Sequence, residues 1–433
     1  ETVMKLERAC TRRNFISQST AVTAGAVAVT KLAAVPIKKG DVIKVGLVGC
    51  GGRGTGACRQ ALQADSGTRL VAMADMFSDR LDGSLERLLA IPAVSERISV
   101  PAGKRFVGFD AFDQLLASGV DVVLLATPPH FRPVHIEKAI NAGVHVFAEK
   151  PVAVDGPGIR SVLASCKLAK KKKLSVVSGL CLRHSYGFQE LVRRLHDGAI
   201  GDLLSLQAND YRGSIWYKER QPDWTDMHYQ MRNWYYYSWL SGDFNVEQHV
   251  HFLDVCSWAK GAYPIKAVGM GGRHVRTEKK YGNIFDHHSI VYEYDDGAKL
   301  YSNTRQMKGC KSNMSAEVQG SAGRARFSER RNGVTINAKG KDLWVYRGED
   351  NDIYQTEHDE LFASIRSGKP INNGEYMAKS TLLAIMGRMA TYTGQEITWE
   401  MALNSKEVLG PEKYEWGPAP AVRIAMPGLT KFV

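Results

Sequence analysis

Residues 42–48, Val-Ile-Lys-Val-Gly-Leu-Val, form a mostly apolar run that passes directly into Gly49-Cys50-Gly51-Gly52-Arg53-Gly54. A buried strand, a G-x-G-x-x-G turn and a following helix, in that order, admit few folds. Gly49 permits the tight turn, Gly51 lets the backbone approach a pyrophosphate, and Gly54 allows the helix to pack closely on the strand. The pyrophosphate would lie against the helix N-terminus, with Gly52 in the same turn, where free N–H groups and the positive dipole end favour an anion. Residues 69–74 read as a second strand ending in Asp75, 21 residues beyond Gly54. A carboxylate there accepts hydrogen bonds from both ribose hydroxyls and repels a 2′-phosphate, so the expected cofactor is NAD.

The pattern continues. Residues 120–126 are another apolar strand, stopped by Thr127-Pro128-Pro129 at the edge where such sheets bind ligands. A helix over 132–142 leads through Gly143 to a strand over 144–148 and then to Glu149-Lys150-Pro151. The order Thr127-Pro128, His135, Ala139, Ala142-Gly143, His145-Val146, Glu149-Lys150-Pro151 resembles the Gfo/Idh/MocA oxidoreductases, a family that includes glucose-fructose oxidoreductase and inositol dehydrogenase. The likeness runs over residues 42–400 and is densest in the first half. It implies an α/β chain: a Rossmann domain with a doubly wound parallel sheet at 41–178, then an α+β domain with a largely antiparallel open sheet and C-terminal helices at 179–433. It places Thr127, Pro128 and Glu149 at the cofactor. In that family the lysine of Glu-Lys-Pro lies beside the nicotinamide and hydrogen-bonds the reacting sugar hydroxyl, a role that falls on Lys150. Relatives often pair through their open sheets, so a homodimer or tetramer is expected. His135 and His145 sit inside helix and strand patterns and are expected to be structural.

Beyond 174–178 the chain changes domain near His184, and alternating strands are expected at 203–208, 289–294 and 298–304. Between them lies Gly242-Asp243-Phe244-Asn245-Val246-Glu247-Gln248-His249-Val250-His251-Phe252-Leu253-Asp254. A helix capped by Asn245 would put Glu247, His251 and Asp254 on one face. The family usually shows Asp-x-Gly-x-His-x-x-Asp here; Glu247 replaces the first Asp and His249 the Gly. His251 suits a general base, because imidazole titrates near neutrality, and Glu247 could orient it. Glu247, His249 and His251 are also metal-ligand types, which would converge from an extended segment but not from one helix. His249, Asp254, His184 and His287 are open between substrate contact and a structural role. Ten aromatic residues within 211–239, among them Trp216, Trp234 and Tyr235, could stack on a sugar or form core.

Composition narrows the partners. The balance of 57 Lys and Arg against 45 Asp and Glu gives +12, but the excess is scattered, so nucleic acid is not expected. The run Lys170 to Lys173 reads as a solvated helix end. Arg12-Arg13 ahead of the modest apolar run 21–34 resembles a twin-arginine export signal within an arm at 1–40, too weakly apolar to span a bilayer. An extracytoplasmic or periplasmic protein that folds before export is the expectation, and seven irregularly spaced cysteines fit folding in a reducing compartment. Two reactions follow from the resemblance: net oxidation of a sugar, cyclitol or glycoside hydroxyl by NAD, or a glycosidase that oxidises, eliminates and re-reduces. A binding protein that only kept the fold would not need Lys150 and His251.

Overall fold

The computed structural model describes residues 40–330 and 332–433, so the expected export arm with Arg12-Arg13 lies outside the described residues. Six parallel strands form the first sheet: β1 (Ile43–Val48), β2 (Thr68–Asp75), β3 (Arg105–Val107), β4 (Val122–Leu125), β5 (His145–Ala148) and β6 (Val176–Ser178), in the order β3-β2-β1-β4-β5-β6. β4 and β5 are buried along their whole length because helices cover both faces, which is why they read as continuous apolar runs rather than alternating ones. One face packs against the helices Gly52–Ala64 and Ser78–Leu89 and, from the far end of the chain, Ile353–Ser367. Leu361, Phe362 and Ile365 of that last helix join Ile43, Val45 and Leu47 in a single apolar cluster. The other face takes the helices Arg132–Asn141 and Gly156–Lys172, and the lysine run is the end of the latter, with Lys173 in the left-handed region at φ 56°. The strand order reverses at β1 and β4, so a crevice opens beyond their carboxyl ends.

The second sheet has nine strands in the order β14-β13-β12-β11-β7-β10-β9-β8-β15. They are β7 (Leu203–Arg212), β8 (Lys266–Gly272), β9 (His287–Glu293), β10 (Lys299–Gln306), β11 (Asn313–Gly320), β12 (Gly323–Phe327), β13 (Thr335–Ala338), β14 (Trp344–Val345) and β15 (Ile397–Thr398). β7 and β10 pair in parallel and the other pairs are antiparallel. Alternation along β10 buries Leu300, Ser302, Thr304 and Gln306 and turns Tyr301 outward. In register beside them lie Leu206, Ala208, Asp210 and Arg212 of β7. That inner face carries the helices Val250–Lys260 and Gly374–Thr393, and its core is continuous with that of the first domain. The aromatic stretch forms a satellite core in which Tyr235, Tyr236, Tyr237 and Trp239 are buried with Phe244, while Trp216 stays exposed. Among the described residues no helix is long and apolar enough to cross a membrane.

Candidate active site

The glycine turn fits a dinucleotide on its own geometry. Gly49 has φ 92°, and a Cβ there would lie 2.6 Å from the Ala126 carbonyl carbon. At Gly54 a Cβ would lie 1.9 Å from the Gly49 carbonyl oxygen, so strand and helix meet with no room for a side chain. Gly51 and Gly52 face open space, and the helix that starts at Gly52 has no side-chain cap. Its first N–H groups are therefore available to an anion. The Asp75 carboxylate accepts from the Cys50 amide through Oδ2 (2.6 Å) and from the Phe77 amide through Oδ1 (2.9 Å). Each oxygen keeps a lone pair for a ribose hydroxyl. Burial raises the Asp75 pKa despite those two amide donors. These residues would hold NAD.

At the ends of β4 and β5 a buried arginine sets the walls. Arg132 donates to the Thr127 carbonyl (2.5 Å) and to the Pro151 carbonyl, which ties Thr127-Pro128 to the cis Lys150–Pro151 segment. Burial pulls its guanidinium down to about 10. Glu149 faces the glycine turn, ion-paired with Arg53 at 3.0 Å, while the adjacent Lys150 faces the second domain. Lys150 Nζ donates to the Glu247 carbonyl (2.6 Å) and to its Oε1 (3.1 Å). His251 is partly exposed: its Nδ1 is buried without a partner, which leaves the Nε2 edge for the crevice. Burial first, then the charges of Lys150 and Arg212, holds its pKa well below the ordinary histidine range. It is a neutral imidazole, ready to accept a proton.

The helix expected from an Asn245 cap is two helices. Phe244–Glu247 is capped by Asp243, whose Oδ1 accepts from the Asn245 amide (3.1 Å), and Val250–Lys260 starts after a break at Gln248. Asn245 instead donates its side-chain amide to the Ala384 carbonyl (2.9 Å). Glu247, His251 and Asp254 therefore do not share one continuous face. The break sends Glu247 to Lys150 and His249 to the sheet, where its Nε2 meets Ser302 Oγ at 2.8 Å. Burial pulls His249 down to about 3. Asp254 is occupied by a bidentate pair with Arg183 (2.8 Å each) and by the Ser380 hydroxyl (2.5 Å), which ties it into the domain junction. His184 lies 3.1 Å from Glu360, on the side of the helix Ile353–Ser367, and His287 is bound to Asp286 at 2.7 Å. Among the described residues no group of three or more His, Cys, Asp or Glu is placed to hold a metal ion. His145 is buried and His135 half-buried, and loss of solvent around them pulls their pKa values down to about 4 and about 3.

Three polar residues escaped the sequence reading. Arg132 gives no signal beyond opening a helix. Asp210 and Arg212 end β7 on the inner face, two apart as strand alternation requires, and Arg212 Nε donates to Asp210. Paired charges on an otherwise apolar strand face, Leu206-x-Ala208-x-Asp210-x-Arg212, were the available clue.

The model of the oxidoreductase family with the NAD-binding Rossmann fold, Gfo/Idh/MocA, matches residues 43–179, and that of the Gfo/Idh/MocA C-terminal domain matches residues 188–326. An inositol 2-dehydrogenase of Rhizobium meliloti (strain 1021) is 24% identical over 324 residues, 74% of this chain and 86% of that protein. The crystal structure of an aldose-aldose oxidoreductase from Caulobacter crescentus superposes with a TM-score of 0.65 at 18% identity, over 82% of this chain and 99% of that one. An oxidoreductase from Agrobacterium radiobacter in complex with NAD+, L-tartaric acid and magnesium gives 0.61 at 16% identity, over 83% and 98%. At such identities the structural likenesses speak for the fold.

Proposed function

We propose that this chain, which belongs to the Gfo/Idh/MocA family of NAD-binding oxidoreductases, transfers hydride at a hydroxyl-bearing carbon of a sugar, cyclitol or glycoside. The observation that carries the reading is the meeting of Lys150 and Glu247, beside His251, at the carboxyl edge of the parallel sheet. Bound NAD supplies the hydride acceptor. Lys150 spends two donors on Glu247 and keeps one for a substrate oxygen, which it polarises. His251 accepts the hydroxyl proton at Nε2. Glu247 holds the ammonium in place and offers its second oxygen to a neighbouring hydroxyl. The inositol dehydrogenase and aldose-aldose oxidoreductase among the relatives support a polyol substrate.

The cofactor is retained through turnover. Support comes from side chains that bridge the loops after β2, β3 and β4. Arg232 grips both oxygens of Asp79 (2.7 and 2.8 Å) and lies 3.7 Å over the Phe77 ring. From the C-terminal segment, Trp416 packs on Phe77 and Phe109, and Tyr414 meets His130 at 2.6 Å. A retained cofactor requires a closed redox cycle, either one polyol oxidised and another reduced, or hydride returned to the same substrate. Export by the twin-arginine route to the periplasm would suit a protein that carries its cofactor with it. The outer face of the second sheet, with Met270, Leu204 and Tyr301 exposed, supports a homo-oligomer.

Protein purified without added cofactor should contain one dinucleotide per chain. It should then be offered myo-inositol, free aldoses and aryl glycosides, with reduced dinucleotide and released aglycone followed together. Reduction on a polyol is the expected result. Aglycone release without net reduction would move the reading to oxidation, elimination and re-reduction. An empty protein that turns over only in excess free NAD would remove the retained cofactor, and no hydride transfer with any of these compounds would overturn the reading.

A further inference from the structure

We propose that Tyr235 is a substrate-binding residue whose hydroxyl is fixed as a donor, so that the site requires an accepting oxygen on the substrate at that point. The inference rests on the reading of Lys150, Glu247 and His251 as the reacting site. It starts from Arg276, which is 3% exposed and donates Nη1 to the Phe285 carbonyl (2.8 Å) and Nη2 to Gln306 Oε1. A guanidinium has no acceptor, so the oxygen of the Gln306 amide must face Arg276 and its NH2 must face the other way. That NH2 donates to Tyr235 Oη at 2.7 Å. The phenol therefore accepts from Gln306, and its own proton has no acceptor among the described residues. Tyr235 is only 2% exposed, so an unclaimed donor there is costly unless something enters to take it.

The relay is anchored beside the reacting groups. Arg276 lies 5.3 Å from the ring of Phe244, which opens the short helix ending in Glu247. Gln306 stands opposite Arg212 in the β7–β10 register, four residues along β10 from the Ser302 that holds His249. Burial, with the Glu247 charge next in weight, pushes the Tyr235 phenol well above its ordinary range, so it stays protonated and able to donate. Gln306 is a positioning residue. It decides which way the Tyr235 proton points.

The relay can be reversed without changing its shape. In Gln306→Glu a carboxylate would pair with Arg276 and accept the phenol proton, leaving Tyr235 only an acceptor toward the crevice. Tyr235→Phe removes the hydroxyl. Both variants should fold, keep their dinucleotide and lose about 10- to 100-fold in kcat/KM on the polyol that the wild type oxidises, the scale of one buried hydrogen bond left unmade. The double variant should be no worse than Tyr235→Phe alone. Wild-type kcat/KM in either single variant, or losses that add, would overturn the proposal. If the wild type oxidises none of myo-inositol, aldoses or aryl glycosides, the hydride-transfer reading fails by itself. Isotope-edited infrared spectroscopy of the Tyr235 C–O stretch, identified by its disappearance in Tyr235→Phe, then decides the relay. A shift in Gln306→Glu to the band of a phenol that only donates supports it, and an unchanged band overturns it.

Discussion

The cofactor cradle and the reacting cluster share one crevice, but the first is made of backbone and the second of side chains. Gly49, Gly51, Gly52, Gly54 and Asp75 lie in one strand-turn-helix-strand stretch, closed by the Gly49 amide on the Ala74 carbonyl (2.8 Å) and the Cys50 amide on Asp75. The proposed cluster draws Lys150 from the end of β5, Glu247 and His251 from either side of a helix break, Arg212 from β7 and Tyr235 from the aromatic segment. A backbone site has no tolerance for an added carbon but is indifferent to most side chains around it. A side-chain site can exchange its groups while the frame stays, and of the two departures from the family pattern Glu247 falls there, while His249 packs behind it on Ser302 of the sheet. Specificity can therefore drift in the second region while cofactor chemistry is kept in the first.

The largest test of that contrast is to empty the side-chain site. Lys150→Ala and His251→Ala should remain folded and cofactor-bound while the rate falls by about 10² to 10⁴, the range of a lost acid-base group, as measured by single-turnover hydride transfer. Near-normal turnover by either variant would remove its assigned role. Gly54→Ala attacks the backbone site. Its Cβ would collide with the Gly49 carbonyl oxygen, so a destabilisation of about 1–3 kcal/mol in chemical unfolding and loss of bound dinucleotide are expected together. A stable, loaded Gly54→Ala protein would break the comparison.

Asp75 is the one side chain on which the cradle depends. The protein stripped of cofactor should bind NAD more tightly than NADP, and Asp75→Asn should narrow that preference by about tenfold, close to the ~1.4 kcal/mol of one charge-assisted hydrogen bond. Equal or tighter NADP binding by the wild type would refute the electrostatic argument, with Arg53 and Arg80 as the cations to examine. A smaller effect is expected of Arg232→Ala, which opens the bridge to Asp79: dinucleotide dissociation should quicken by several-fold, the upper range of ~1 kcal/mol for a partly exposed pair. The least change should come with pH. Because burial, Lys150 and Arg212 depress the folded His251 pKa, no proton is taken up there between about pH 8 and the ordinary histidine value of about 6.5. The rate of the chemical step should be flat across that window and fall only at lower pH, once Nε2 is protonated; a His251 limb near 6.5 would show an unshielded imidazole.

Five of the six strands of the first sheet, all but the three-residue β3, and the two long C-terminal helices were legible because their signals are local. Apolar runs, a glycine spacing and helical periodicity all survive without knowledge of the rest of the chain. The helix break at Gln248 was not legible. Asn245 is a good cap in isolation, and only the neighbouring Asp243, itself held by the Phe285 amide (2.9 Å) and the Tyr392 hydroxyl (2.6 Å), takes the cap two residues earlier. Asp254 stood out by its place in the Asp-x-Gly-x-His-x-x-Asp pattern and His184 by its place at the domain junction. Their partners, Arg183 with Ser380 and Glu360, are up to 176 residues away in sequence, as in His184 to Glu360, where no spacing rule reaches.

By itself the sequence determined the cofactor cradle, the lysine at the end of β5 and the class of sheet that carries them, since each depends on residues close together in the chain and on backbone geometry. Tertiary structure alone decided which polar side chains are spent on one another and which remain free. Burial makes every unpaired hydrogen-bonding group costly, so partners are chosen by proximity in space. That choice ties Asp254 to Arg183 and His249 to Ser302, and it leaves His251 Nδ1 without a partner and the Tyr235 hydroxyl accepting from Gln306.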